Sequence, residues 1–202
     1  MHIGGNHRMT DKYALIIDGG CKYHGAGGTL NHTYSAMARK TLEDMGWTVD
    51  ITCAENNWDA ATEAEKLIRA RGVIVQTPIW WMSTPWQVKR YIDEVFMQPG
   101  ICGGDGRTRT APQLNYGTGG LLTGRYMISS TWNAPRHAFV TPGDFFENTG
   151  IDGVMMPLHK ALQFVGLKPL TSFMANDVLK NPTHDEDFKN FVELVKKNFE
   201  PL

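Results

Sequence analysis

The 202-residue chain predicts an α/β fold, a five-stranded parallel sheet with helices on both faces. Three observations carry this. Short apolar runs bounded by turn residues alternate with stretches whose apolar residues recur at helical spacing. The runs "YALIID" and "GVIVQT" are apolar almost throughout, as strands covered on both faces require. No internal repeat or low-complexity stretch interrupts the alternation.

The elements follow in order. Tyr13 to Asp18 is the first strand, closed by Gly19 and Gly20. The turn-rich "CKYHGAGGTLN" leads into a helix on which Leu30, Tyr34, Met37, Ala38, Thr41, Leu42 and Met45 share a face, and Gly46 ends it. Trp47 to Cys53 alternates and forms the second strand. A second helix runs from about Asp59, its N-cap, to Arg71. Gly72 to Thr77 is the third strand. Pro85 opens a helix with Val88, Tyr91, Ile92, Val95 and Phe96 on its apolar face, and Trp86 is expected to pack there. From Gln98 to Arg125 no helix or strand is expected, and long segments of that kind are often functional. Tyr126 to Trp132 is the fourth strand, Pro157 to Val165 a helix, and Lys168 to Ala175 the fifth strand. The last helix starts near Asp185. Thr183 and Glu186 suit a capping box, and Phe188, Phe191, Val192, Val195 and Phe199 supply its buried stripe. This pattern suits a flavodoxin-like sheet, whose ligands lie outside the carboxyl ends of the strands.

Composition narrows the function. Lys and Arg total 20 against 21 Asp and Glu, so no charge excess points to nucleic acid or an anionic membrane. No apolar run approaches the length that spans a bilayer. Residues 1–12 read as a flexible extension without a signal peptide's apolar core, and the expected location is the cytoplasm. Cys21, Cys53 and Cys102 form no pair at metal-ligand spacing and read as reduced thiols, with Cys21 a bystander. His24, His32, His137, His159 and His184 fall on different elements, so no metal site is expected. No Gly-x-Ser-x-Gly is present, and no catalytic side chain is assigned. "DGRTR", with Arg107 and Arg109, reads as a solvated loop, with a phosphate contact as the alternative.

Three loops stand out because each follows a strand. "GGCKYHGAGGTLN" holds five glycines between Gly19 and Gly28 and opens a helix, whose free N–H groups and dipole favour a phosphate. "QTPIWWMSTPW" places Trp80, Trp81 and Met82 between prolines. "TWNAPRHAF" adds Trp132 and Asn133. In the expected sheet these loops line one crevice, which suits a planar, phosphate-bearing cofactor such as a flavin.

The segments "GGTLNHT", "PIWWMSTPWQVKRYIDEVF", "DGRTR", "YGTGGLLTGRYM", "TWNAP" and "GIDGVMMPLHKALQFVGLKPL" resemble the modulator of drug activity B family. These are bacterial NADPH:quinone reductases of the flavodoxin-like quinone reductase group. The resemblance runs from about Tyr13 to the end of the chain. It implies FAD, ranked ahead of FMN, with NAD(P)H as co-substrate and a quinone as acceptor, exchanged in turn at one flavin face. It also implies a homodimer with its sites at the subunit interface. Family cofactor contacts fall on Ala26, Gly27, Gly28, Thr29, Leu30, Asn31, His32 and Thr33 around the phosphates. Ile79, Trp80, Trp81 and Met82 would wall the ring. Thr131, Trp132, Asn133 and Ala134 lie on another edge, and Tyr116 is contributed from the long unassigned segment. The chain departs from the family at Ala26 and Gly27, where a serine-asparagine pair stands, at Thr29 for a glutamine, and at Ile79 for a glycine. Two other readings stay open. One is an FMN-dependent azo, nitro or flavin reductase of this fold. The other is a regulatory module that signals by binding a partner.

Overall fold

A computed structural model describes residues 12–23, 25 and 27–202. The expected flexible extension and Ala26 lie outside the described residues, apart from Lys12. β1 (Tyr13–Asp18), β2 (Thr48–Cys53), β3 (Gly72–Pro78), β4 (Arg125–Thr131), β5 (Lys168–Pro169) and β6 (Phe173–Ala175) form one parallel sheet. Its order is β2-β1-β3-β4-β5, with β6 also pairing β4. The long helices are α1 (Thr29–Asp44), α2 (Ala60–Arg69), α3 (Trp86–Val95), α6 (Met156–Phe164) and α7 (His184–Phe199). Two short turns of helix, α4 (His137–Val140) and α5 (Gly150–Val154), lie where only loop is expected. No helix of the described residues is long and apolar enough to cross a membrane.

Strand alternation divides the core into two layers. Tyr13, Leu15, Ile17, Val73, Val75, Tyr126 and Ile128 face the side that α2, α3 and α6 cover. Ala14, Ile16, Ile74 and Met127 face α1 and α7, where Tyr34, Leu42, Phe191, Val195 and Phe199 meet them. Successive strand residues point to opposite faces, so a strand apolar at every position is buried on both.

Helix ends follow local chemistry. Gly46, at φ 82, ends α1, and Trp47 N–H donates to Leu42 O at 3.0 Å, a left-handed closure that glycine adopts freely. Asp59 accepts from Thr62 N–H at 2.8 Å at the start of α2. The capping box expected at α7 does not form. Thr183 donates its hydroxyl to Asp187 at 3.1 Å, and no side chain caps the helix. Trp86 is 62% exposed at the start of α3 instead of packed.

The expected fifth strand is two. β4 pairs Tyr126 with Pro169, then Ser129 with Phe173. Two β4 residues, Met127 and Ile128, therefore face three, Leu170, Thr171 and Ser172, which is the arithmetic of a bulge. Thr171 turns its carbonyl out of the ladder to accept from Asn198 of α7 at 2.9 Å. Pro169 brings no N–H to the ladder.

Gly72 opens β3 against the last turn of α7, and a Cβ there would collide with the buried Phe199 ring. Gly72→Ala is expected to destabilise the fold by about 1–3 kcal/mol, the usual range for overpacking, read as a lower midpoint in urea unfolding.

Candidate cofactor site

A cavity of about 420 Å³ opens at the carboxyl edge of the sheet, within the usual range for small-ligand sites. Its walls come from the exits of β1, β3, β4 and β6 and the first turns of α1 and α7.

On one side, α1 begins at Gly28 without a side-chain cap and without an acid in its first turn. The N–H groups of Thr29, Leu30 and Asn31 have no backbone partner among the described residues, so the positive end of the helix faces the cavity. Gly28 sits at φ 72, and a Cβ there would lie 2.7 Å from Cys21 N. Only glycine folds the loop this closely over the end of β1. His32 and Asp18 brace it from beneath. Asp18 accepts from Gly20 N–H at 2.8 Å and meets His32 Nδ1 at 2.8 Å.

The floor is a buried polar knot. Gln76 donates to Asn31 Oδ1 at 2.8 Å, and Asn31 donates to Thr131 Oγ1 at 3.2 Å. These three residues tie the first turn of α1 to β3 and β4.

On the other side, Trp80 and Ser83 exchange backbone hydrogen bonds at 2.9 and 3.1 Å. Trp81 and Met82 occupy the tip of this two-residue turn at φ 51 and 63. Such a turn favours Asn-Gly, and bulky residues held there store about 1–3 kcal/mol each. Trp80 packs on Tyr23, with ring centroids 5.1 Å apart, while Trp81 is 94% exposed.

Of the residues expected at the site, Gly27, Gly28, Thr29, Leu30, Asn31, Ile79, Trp80, Thr131 and Asn133 line the cavity. Trp81 and Met82 project from the turn beside it. Thr33 bonds back to Thr29 O within α1. His32 lies under the loop. Trp132 is 4% exposed; its indole donates to Ser130 Oγ at 2.9 Å and packs edge-on to Phe139. Ala134 turns its carbonyl to Asp177 N–H at 3.1 Å. Tyr116 lies far from the others. Its ring is 5.7 Å from Phe164 and carries Arg107 above it at 5.4 Å. Phe164 and Val165 precede β5, and Leu122 N–H donates to Val165 O, so this segment occupies the amino edge of the sheet. Arg107 pairs with Asp105 there.

The cavity also takes in Cys21, Pro78, Val178, Leu179 and His184, which sequence reasoning did not assign. Val178 to His184 follow the last strand, so the same carboxyl-edge rule reaches them. Burial pushes the Cys21 thiol up to about 11, with Glu55, Cys53 and Asp18 acting in the same direction. It is protonated at neutral pH and unreactive. No His, Cys, Asp or Glu cluster among the described residues suits a metal.

A family model described as the flavodoxin-like fold matches residues 12–198. NADPH:quinone oxidoreductase MdaB of Haemophilus influenzae is 41% identical over 188 residues, spanning 92% of this chain and 98% of its own length. The chain belongs to the flavodoxin-like fold family and, within it, to the modulator of drug activity B group. An uncharacterised protein of Schizosaccharomyces pombe is 47% identical over 174 residues, 85% of this chain and 89% of its own.

Solved structures share the fold at lower identity. A proposed quinone reductase of Klebsiella pneumoniae superposes with a TM-score of 0.69 at 19% identity, covering 94% of this chain and 84% of its own. General stress protein 14 of Treponema denticola, in complex with FMN, gives 0.61 at 14%, covering 94% and 96%. An FMN-dependent NADH-azoreductase of Bacillus anthracis, also in complex with FMN, gives 0.60 at 10%, covering 95% and 99%.

These complexes overturn the expectation that ranked FAD ahead of FMN. The Tyr116 segment, which the resemblance placed against the cofactor, lies at the opposite edge of the sheet.

The residues present fit a flavin mononucleotide. An uncapped helix start and a glycine cradle suit the phosphate, and Pro78, Ile79 and Trp80 suit the ring.

Two outcomes are expected. Asn31→Leu leaves the Gln76 amide without its acceptor and costs about 1–3 kcal/mol, measured by urea unfolding. In the folded protein at neutral pH, peptide mapping after iodoacetamide treatment finds Cys21 unlabelled; rapid labelling would contradict its burial.

Proposed function

We propose that this chain is a flavin-dependent NAD(P)H:quinone reductase with FMN as its flavin. The observation that carries the reading is the cavity in which the open start of α1 faces the Ile79–Trp80 wall across the Asn31–Thr131 floor. The group standing of the chain and its 41% identity to an NADPH:quinone oxidoreductase support it. It is an enzyme, a flavin-linked oxidoreductase.

A flavin held here would supply the redox chemistry, two-electron transfer between a nicotinamide and an acceptor. The chain's own residues bind and orient. Thr29, Leu30 and Asn31 N–H groups hold the phosphate against the helix dipole. Pro78, Ile79 and Trp80 wall the ring and exclude water from one side. Trp81 and Met82 N–H groups, free of backbone partners among the described residues, supply donors at the ring's polar edge, and the Asn133 amide supplies another. No side chain acts as nucleophile or obligatory acid. Ile79, with a branched side chain where the family has glycine, adds bulk to the ring wall. The working form is a homodimer, in which the partner's Tyr116 covers the site from outside; within one protomer Tyr116 stands at the far edge.

The visible spectrum of purified protein tests the reading. Flavin absorbance is expected, with FMN identified by mass spectrometry of the acid-released cofactor. NADPH is expected to bleach that absorbance within seconds in stopped flow, and a benzoquinone to restore it. A protein that stays colourless after incubation with FMN overturns the proposal.

A further inference from the structure

His184 is the first residue of α7 and one of the cavity's lining residues. Its ring stacks on Phe188, with centroids 5.9 Å apart and planes at 15°. Phe188 in turn meets Tyr34 of α1 edge-on at 5.2 Å. α1 and α7 both start at the carboxyl edge and run the same way on the same face of the sheet. One turn back from Tyr34 is Leu30, and one turn back from Phe188 is His184. The imidazole therefore stands level with the first turn of α1, beside the N–H groups that no backbone carbonyl takes.

The ring is also incompletely satisfied. Nδ1 is buried, with no hydrogen-bond partner among the described residues, so the Nε2 edge of the ring is the one left to meet a ligand in the cavity. The neighbouring acid is partly engaged elsewhere. Asp187 takes the Thr183 hydroxyl at 3.1 Å; burial pushes its carboxyl upward, while that hydrogen bond and the charge of His184 pull it down.

Resting on the flavin reading above, we propose that His184 is a phosphate ligand: its imidazole N–H donates to the cofactor phosphate held at the start of α1. α7 thereby reaches the site on the side opposite Trp80, and the C-terminal helix becomes part of the cofactor cradle. The phosphate is recognised by two helix starts, one through backbone N–H groups and the other through a side chain.

The test uses the full chain freed of cofactor and titrated with FMN and with riboflavin, which lacks the phosphate, following flavin fluorescence. His184→Leu keeps an apolar filler over Phe188 and removes the donor. It is expected to weaken FMN binding by about tenfold or more, the loss of a hydrogen bond to a charged group, and to leave riboflavin binding unchanged. Equal weakening of both flavins, or of neither, overturns the assignment. Should His184→Leu fail to fold by circular dichroism, the same comparison is read from His184→Asn, which removes the imidazole and shortens the side chain. Wild-type protein that binds neither flavin overturns the flavin reading itself; wild type that binds FMN no better than riboflavin overturns only the phosphate site.

Discussion

The knot of Asn31, Gln76 and Thr131 holds the site together. Gln76 and Thr131 stand near the ends of β3 and β4, and Asn31 stands in the first turn of α1. Their hydrogen bonds are buried, with Gln76 wholly inaccessible to water. Buried polar groups in such a medium are costly when unpaired, so the Gln76–Asn31–Thr131 bonds favour this arrangement, although Gln76 Oε1 has no partner among the described residues. That arrangement fixes the direction of α1 relative to the strands. Every other feature of the cavity is referred to it: the open helix start, the glycine cradle above it and the wall after β3.

Pinning the helix from its side leaves its end free. Most helix starts are closed by Ser, Thr, Asp or Asn, and α2 is closed in that way by Asp59. α1 is not; Gly28 bends at φ 72 and offers no side chain. The acid that belongs to this corner, Asp18, is occupied by Gly20 N–H and His32 and sits beneath the loop. An anion at the α1 start therefore meets donors that Asp18 does not occupy. The turn after β3 shows a different cost, since Trp81 and Met82 are held in a backbone region that bulky residues avoid. Strain of this kind persists where surrounding contacts over-determine it, here the paired Trp80 and Ser83 and the buried Pro85 and Val88 beyond.

Much of this was legible. β1 and β3 are apolar at nearly every position, so their double burial and central place follow from composition alone. The carboxyl-edge rule brought the three loops together, and the family resemblance named within them Gly27 to Asn31, Ile79, Trp80, Thr131 and Asn133, which line one cavity. Trp132 misled because an aromatic after a strand reads alike whether it faces a cavity or the core. Its indole found Ser130 and Phe139 instead. The bulge opposite Met127 and Ile128 had no local signature, because Asn198, a distant residue on α7, draws Thr171 out of the ladder.

Local pattern decided what each segment is. Hydrophobic period set strand or helix, glycines set the turns, and strand ends marked the functional loops. These depend on neighbours a few residues apart, which a sequence displays directly. The tertiary structure decided which segments meet. It alone put Tyr116 at the amino edge, because α3 carries the chain back across the sheet before the long segment begins. It alone brought His184 level with Leu30, through the stacking of Phe188 on one helix against Tyr34 on another. Such meetings depend on packing between residues far apart in the chain, and hydrophobic period says that a face is buried without saying against what.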